Sequence, residues 1–222
     1  MPDVEITNDD GHRFNAYRSE PADGAGRSRA AVVVIQEIFG VNRHIRDVVD
    51  RFGEAGFVAV APALFDRVEP DVELGYDEQG MKRGVELAWK GLPLDQAVSD
   101  VGATADALSV EMGGVGHVGV VGFCYGGMRA AAAAARLHTR IGAAVAYYPS
   151  LAAEKLVDDR VEAPLLIHLG DLDQRVTIEH GHWPNAGPAP RCSAMPTPGT
   201  ASTATSGPAT SPKPPPSPGS GR

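Results

Sequence analysis

The sequence predicts an α/β fold with a mostly parallel sheet flanked by helices. Short apolar runs rich in β-branched residues, at Ala31–Ile35, Phe57–Ala61 and Val118–Val121, are typical of strands buried on both faces. The segments between these runs carry apolar residues at helical spacing. Strands that alternate with helices favour right-handed crossovers and parallel pairing, which is the basis of the prediction.

The predicted elements follow one another in a regular order. The expected strands are Val4–Thr7, Phe14–Tyr17, Ala31–Ile35, Phe57–Ala61, Val118–Val121, Ile141–Tyr147 and Leu165–Leu169. Val4–Thr7 and Phe14–Tyr17 flank a Gly-containing hairpin loop. The expected helices begin after the N-cap residue Asn42 and stop near Gly56, run through Ala97–Leu108, and cover the Ala-rich segment Met128–Leu137. Residues 65–93 are expected to form an excursion with one or two short helices.

The composition bounds the class of protein. The chain has 222 residues and a net charge of -8, which fits one domain and disfavours a nucleic-acid partner, because phosphate binding needs surplus Lys and Arg. It has 2 cysteines, too few for a disulfide scaffold, so a reducing cytoplasm is the expected location. No apolar run approaches the roughly 20 residues of a membrane span, so no membrane partner is expected.

The last part of the chain differs from the rest. Of 18 prolines, 11 follow residue 180, and residues 181–222 contain no Asp, Glu, Leu, Ile, Val, Phe or Tyr. Such a segment has almost nothing to bury, so we expect a core domain at 1–180 and a disordered Pro/Ser/Thr/Ala-rich tail at 181–222.

The segment Gly122-Phe123-Cys124-Tyr125-Gly126-Gly127 lies between a buried strand and an Ala-rich helix. A nucleophile flanked by glycines two residues away on each side, here Gly122 and Gly126, is typical of a strained strand-to-helix elbow. The helix N-terminus then favours a thiolate at Cys124. The competing interpretation is a small apolar cysteine in a tight turn.

Two other loops follow buried strands and should face the same crevice. Glu37 lies in the loop after Ala31–Ile35, where it could meet the Cys124 thiol or be a solvated carboxylate. The N–H groups of Ile38 and Tyr125 could together form an oxyanion hole. Asp173 follows the last predicted strand and is the better candidate for orienting a catalytic histidine, although it could simply build the turn with Asp171.

These motifs together resemble the dienelactone hydrolase family, also called carboxymethylenebutenolidases, of the α/β-hydrolase superfamily. The matching segments are VIQEIFGVN, FVAVAPALFDR, GVVGFCYGG and LLIHLGDLDQRV, in the family's order between about residues 5 and 180. The resemblance implies Cys124 as nucleophile, Asp173 as triad acid, and Glu37 as the group that holds and deprotonates the thiol. It implies Ile38 and Tyr125 as oxyanion donors, a small ester or lactone as substrate, and neither cofactor nor metal.

The triad histidine of this family would fall near Ala204, where the sequence has none. His180 and His182 are the alternatives that could fold back as a substitute base. The abrupt change near Gly181 suggests a reading-frame change that replaces the last strand, the histidine loop and the closing helix, with a natural Pro-rich linker as the other explanation. We therefore expect impaired hydrolysis, a free edge at Leu165–Leu169 and self-association through that edge.

Two other functions remain open. The chain could be an inactive remnant or ligand-binding protein of the same fold, with PKPPPSP docking on a proline-reading domain. A redox thiol function is disfavoured, because Cys192 is in the tail. Arg83 and Trp89 could contact substrate.

Overall fold

The computed structural model describes residues 3–22, 30–170, 172, 173, 176 and 191–195. Its strands are β1 Asp3–Thr7, β2 Arg13–Ser19, β3 Ala31–Ile35, β4 Val58–Pro62, β5 Val118–Phe123, β6 Ala143–Tyr147, β7 Leu165–Gly170 and β8 Arg191–Met195. Its α-helices are α1 Arg43–Glu54, α2 Glu78–Glu86, α3 Leu94–Met112, α4 Tyr125–Arg136 and α5 Ala152–Lys155. Short 3₁₀ turns lie at Leu64–Arg67 and Val115–His117, and a π-helical turn at Leu87–Gly91 extends α2.

The described strands form one sheet in the order β1-β2-β4-β3-β5-β6-β7-β8. β1 and β2 form an antiparallel hairpin, and β2 also pairs antiparallel with β4. From β4 to β8 every pair is parallel. The carboxyl ends of β3, β5, β6 and β7 therefore lie at one edge of the sheet, where α/β proteins place their sites.

Two apolar cores cover the two faces of the sheet. The larger one packs α3 and α4 on alternate strand residues such as Val33 and Val120. The smaller one packs α1, through Ile45 and Val49, on residues of the opposite face such as Val34. Successive side chains of a strand point to opposite faces of the sheet. Because both faces are covered by helices, both sets of side chains are apolar and the strands are continuous apolar runs in the sequence.

The predicted helix boundaries agree with local chemistry. The Asn42 side chain accepts a hydrogen bond from the Ile45 N–H at the start of α1, and Gly56 follows its end at a φ of 95°. The residues predicted to face the core of α3, Ala97 to Leu108 at helical spacing, are buried. The excursion contains α2 and two irregular turns, as expected.

The expected free edge at β7 is wrong. β8 pairs with β7 in parallel from Leu166↔Arg191 to Gly170↔Met195. The physical reason is that an open strand edge presents unpaired N–H and C=O groups, and a short segment with little apolar content can still satisfy them through its backbone. The position after β7, which was expected to have lost its strand, is thus occupied by part of the tail. The rest of 181–222, including any closing helix, lies outside the described residues.

In the part of the chain that the structure describes, no helix has the length and apolar character needed to cross a membrane.

Candidate active site

Cys124 lies at the turn from β5 into α4. It is the N-cap residue of α4 and has φ 54° and ψ -111°, a backbone conformation that non-glycine residues rarely adopt. Its N–H donates to the Tyr147 carbonyl at 3.0 Å, which ties the turn to the end of β6. The elbow expected from the sequence is therefore present, with the thiol at the N-terminus of a twelve-residue helix.

The elbow needs glycine at three positions. A Cβ on Gly122 would lie 2.1 Å from the Gly126 carbonyl oxygen, and one on Gly126 would lie 2.5 Å from the carbonyl oxygens of Ile35 and Gln36. A Cβ on Gly127 would lie 2.5 Å from the Tyr147 oxygen. These close approaches press the first turn of α4 against the ends of β3 and β6.

The same packing brings the predicted oxyanion donors to one end of the sheet. The Tyr125 N–H is in the first turn of α4, where a helix offers no acceptor to its own N–H groups. Ile38 follows β3 in the loop that Gly126 contacts, and it is buried. Gly84 of α2 packs on the Ile38 carbonyl so closely that a Cβ would lie 2.3 Å from the oxygen, which fixes this loop.

Glu37 is held by two tyrosines. The Tyr76 hydroxyl donates to Oε2 at 2.7 Å, and the Tyr148 hydroxyl donates to Oε1 at 3.3 Å. Burial, together with the carboxylate, raises the pKa of Tyr76 to about 12. Both phenols therefore remain protonated donors at neutral pH, and Glu37 is an oriented carboxylate rather than a solvated one.

Tyr148 lies close to both the carboxylate and the thiol. Burial is the main cause that raises its pKa, and the negative charges of Glu37 and of a Cys124 thiolate raise it further. Tyr148 has a φ of 36°, and its N–H donates to the His168 carbonyl at 2.8 Å. The loop after β6 thus brings the Tyr148 phenol close to both Glu37 and Cys124, the two groups that the sequence predicted to meet.

The thiol also contacts a serine from this loop. Cys124 Sγ lies 3.3 Å from Ser150 Oγ, and the Ser150 N–H donates to the Cys124 carbonyl at 3.3 Å. Ser150 therefore contacts both the side chain and the backbone of Cys124.

Asp173 builds the turn after β7. Its Oδ1 accepts from the Val176 N–H at 3.0 Å, and its own N–H donates to the Gly170 carbonyl at 3.2 Å. This is the turn-building role that the sequence left open beside the catalytic one. His180, His182 and Asp171 lie outside the described residues.

The structure adds residues that the sequence did not single out. Tyr148 and Ser150 follow a buried strand, as Glu37 and Asp173 do, so the same rule would have found them. Nothing in the sequence marks Tyr76. Arg83, which the sequence left as a possible substrate contact, pairs with Glu69 and Glu86 on the surface.

Trp89 is the other residue that the sequence left as a possible substrate contact. In the structure it packs beneath the elbow. Its ring meets the Tyr125 ring edge-on at 5.6 Å, and the Arg129 guanidinium lies over it at 5.2 Å. Arg129 is 1% exposed. No motif in the sequence singled it out, because it lies in an Ala-rich helix.

One cavity of the described structure is not lined by Cys124. It has about 570 Å³ and lies on the α1 face of the sheet, between α1 and the residues Val121, Phe123, Val145 and Tyr147. A smaller one of about 310 Å³ lies beside Tyr76 and is lined also by Arg43 and His44. The smaller cavity is lined by Tyr76, which also donates to Glu37. Among the described residues, no three His, Cys, Asp or Glu side chains are grouped to hold a metal.

The family model for the dienelactone hydrolase family matches residues 14–183. Carboxymethylenebutenolidase 1 of Cupriavidus pinatubonensis is 32% identical over 178 residues, which cover 79% of this chain and 74% of that protein. Carboxymethylenebutenolidase of Pseudomonas putida is 32% identical over 176 residues, 78% of this chain and 72% of that protein. A Synechocystis relative is 42% identical over 112 residues, but these cover only 50% of this chain and 44% of its own length.

Solved structures give the same fold. A Klebsiella pneumoniae protein assigned to the dienelactone hydrolases superposes with a TM-score of 0.71 at 26% identity, covering 88% of this chain and 84% of its own. A lidless α/β serine hydrolase of Xanthomonas campestris superposes with a TM-score of 0.62 at 14% identity, covering 88% and 83%. At that identity the likeness shows the α/β-hydrolase fold alone.

Proposed function

Because the chain belongs to the dienelactone hydrolase family, we propose that it is a cysteine-dependent hydrolase that cleaves a small lactone or carboxylic ester. The observation that supports this most is the Cys124 elbow with its positive φ, set against the Glu37 loop. The relatives that match over most of their length are carboxymethylenebutenolidases. We also propose that the chain acts in the cytoplasm.

The proposed first half-reaction forms an acyl-enzyme. Glu37 accepts the thiol proton, and the Cys124 sulfur attacks the carbonyl carbon of the ester. The resulting oxyanion is stabilised by the N–H groups of Ile38 and Tyr125. When the C–O bond breaks, the leaving oxygen takes a proton and a thioester remains on Cys124.

The second half-reaction needs a base for water. Attack of water on the thioester releases the carboxylic acid and restores the thiol. In the family pattern a histidine oriented by Asp173 activates this water, and the sequence has no histidine at the corresponding place near Ala204. Since triad members act as a unit, we propose that acylation proceeds and that deacylation is slow.

The test is release of p-nitrophenol from p-nitrophenyl acetate. We expect a stoichiometric burst followed by slow turnover, far below that of the Pseudomonas putida enzyme measured in parallel. Cys124→Ala should lose the burst, Glu37→Gln should slow it, and Cys192→Ala should keep it. A chain without a burst or turnover would favour the alternative, an inactive ligand-binding protein of the same fold. Turnover at the rate of the complete relative would contradict the proposed loss of the base.

A further inference from the structure

Arg129 is a buried cation that the proposed mechanism does not use. It lies on the second turn of α4, one turn beyond Tyr125, and is 1% exposed. Nη1 donates to the Tyr125 carbonyl at 3.3 Å and Nη2 donates to the Ala88 carbonyl at 3.4 Å. Among the described residues, Nε has no hydrogen-bond partner and no carboxylate pairs with the guanidinium.

A buried charge without a counter-charge is costly, and proteins usually pair it. Here the guanidinium is instead stacked at 3.2 Å from the centre of the Tyr125 ring and lies over the Trp89 ring. Burial lowers the pKa of Arg129 to about 10, so the group still carries its charge at neutral pH. An anion close to the guanidinium would therefore stabilise this buried charge.

Two acidic groups interact with the guanidinium, the Tyr125 phenol and the Cys124 thiol. Burial raises the pKa of the Tyr125 phenol, so at neutral pH the anion that these two can form is the Cys124 thiolate. Tyr125 directly follows Cys124, so the guanidinium under its ring lies beneath the elbow. Burial lowers the pKa of Arg129, and negative charges on Tyr125 and on Cys124 would both act to raise it. By reciprocity, the guanidinium favours the thiolate over the thiol.

The other titratable groups around the thiol do not supply a permanent positive charge. Glu37 comes from the loop after β3, Tyr148 from the loop after β6, and Asp173 from the turn after β7. His168 on β7 has a buried Nδ1 without a partner among the described residues. The Glu37 carboxylate opposes a second negative charge, and a fixed cation offsets that effect.

We propose that Arg129 is the buried counter-charge of the Cys124 thiolate, a positioning residue that acts on the nucleophile from beneath the first turn of α4. This deepens the proposed function and rests on it, because it assigns the activation of that same nucleophile. Arginine suits the role, since its guanidinium is weakly hydrated, stays charged and stacks on aromatic rings.

The test measures the thiol rather than turnover. The rate of Cys124 alkylation by iodoacetamide is followed against pH, with peptide mass spectrometry to separate Cys124 from Cys192. Arg129→Gln removes the positive charge but keeps an N–H donor for the carbonyls. Arg129→Met removes the charge and the donors. Arg129→Lys keeps a charge. Arg136→Met, on the exposed side of the same helix and paired with Asp95 and Asp159, is the matched control.

We expect Arg129→Gln and Arg129→Met to raise the thiol pKa by about one unit, a roughly tenfold loss of alkylation rate at neutral pH. Arg129→Lys should restore most of the rate, and Arg136→Met should change nothing. A folded Gln or Met variant with the parent's thiol pKa would overturn the proposal. So would an Arg136→Met variant with an equal shift.

A second measurement needs no variant, in case the neutral substitutions prevent folding. A buried counter-charge is screened little by salt, so the thiol pKa of the parent chain should stay nearly constant up to about 1 M KCl. A rise of about half a unit or more would assign the effect to exposed charges and refute the role of Arg129. Because alkylation needs no substrate, a chain with a normal Arg129 effect but no burst would refute only the hydrolase proposal.

Discussion

Glu37 shows at the scale of single residues how a loop carboxylate becomes part of a site. Its two oxygens accept from Tyr76 and Tyr148, which come from different loops. Hydrogen bonds to a charged group are stronger than those between neutral groups, so the two phenols hold the carboxylate in one orientation. The direction of this carboxylate is therefore set by tyrosines from two other loops.

Partial burial and the hydrogen bond to Glu37 predict a raised pKa for the Tyr76 hydroxyl. Its pKa is raised from 10.0 to about 12, chiefly by burial. Because the folded state binds this proton more tightly than the unfolded state, the stabilisation is complete below about pH 10 and is lost as pH rises toward 12. The phenolate absorbance of the parent minus that of Tyr76→Phe should rise near pH 12 in rapid pH-jump experiments. A step near pH 10 would contradict the partly desolvated, carboxylate-bound hydroxyl.

Residue roles could be predicted only where a motif or a position after a strand marked them. Cys124, Gly122 and Gly126 were predicted from spacing, and their geometry agrees with an elbow. Tyr76 could not be found, because its partner Glu37 is far away in sequence. Arg129 could not be found, because no motif marks a buried arginine in an Ala-rich helix. Asp173 as a triad acid stays a prediction.

The elbow shows at the scale of elements how close packing sets the site. The first turn of α4 meets the end of β3 backbone to backbone at Gly126, without a side chain between them. This contact determines how near the Tyr125 N–H comes to the Ile38 loop. Element positions are therefore as important for the oxyanion site as the donors themselves.

Substitution of Gly126 should separate α4 from β3. A Cβ at Gly126 would meet two backbone oxygens at 2.5 Å, whereas one at Gly116 would have nothing within 4 Å. We expect Gly126→Ala to lower the free energy of unfolding by about 1–3 kcal/mol and to remove the acylation burst. Gly116→Ala should change stability by about 1 kcal/mol or less and keep the burst. Equal effects in urea unfolding would contradict the close contact.

Most strands and helices were predictable, because the spacing of apolar residues along the sequence reflects which side chains are buried. The strands β3, β5 and β7 and the helices α1 and α3 lie close to their expected positions. β8 was not predictable, because Arg191–Met195 has neither the apolar pattern nor the β-branched content of a buried strand. Its backbone pairs along the edge of β7 from Leu166 to Gly170.

At the scale of the whole molecule, β8 changes where the sheet can associate. The described sheet ends at β1 and β8, so self-association, which stays a prediction, now involves the β8 edge rather than β7. The cavity on the α1 face adds apolar surface beside β5 and β6. Both features favour contacts between copies of the chain at high concentration.

Deletion of residues 191–222 should expose the β7 edge. We expect a lower melting temperature and concentration-dependent association in sedimentation velocity, because the backbone groups paired with β8 lose their partners. Deletion of residues 196–222 keeps β8 and is the matched control, expected to melt and sediment like the parent. A 191–222 deletion that remains a monomer with the parent's melting temperature would refute the structural role of β8.

The central claim is that Cys124 carries the acyl group. Its most direct test is peptide mapping by mass spectrometry of the chain quenched with acid during reaction with p-nitrophenyl acetate. The account predicts a single acetyl group on the peptide that contains Cys124, accumulating because deacylation is slow, and its absence in Cys124→Ala. Hydrolysis of the ester with an unmodified Cys124, or acetylation confined to another residue, would contradict it.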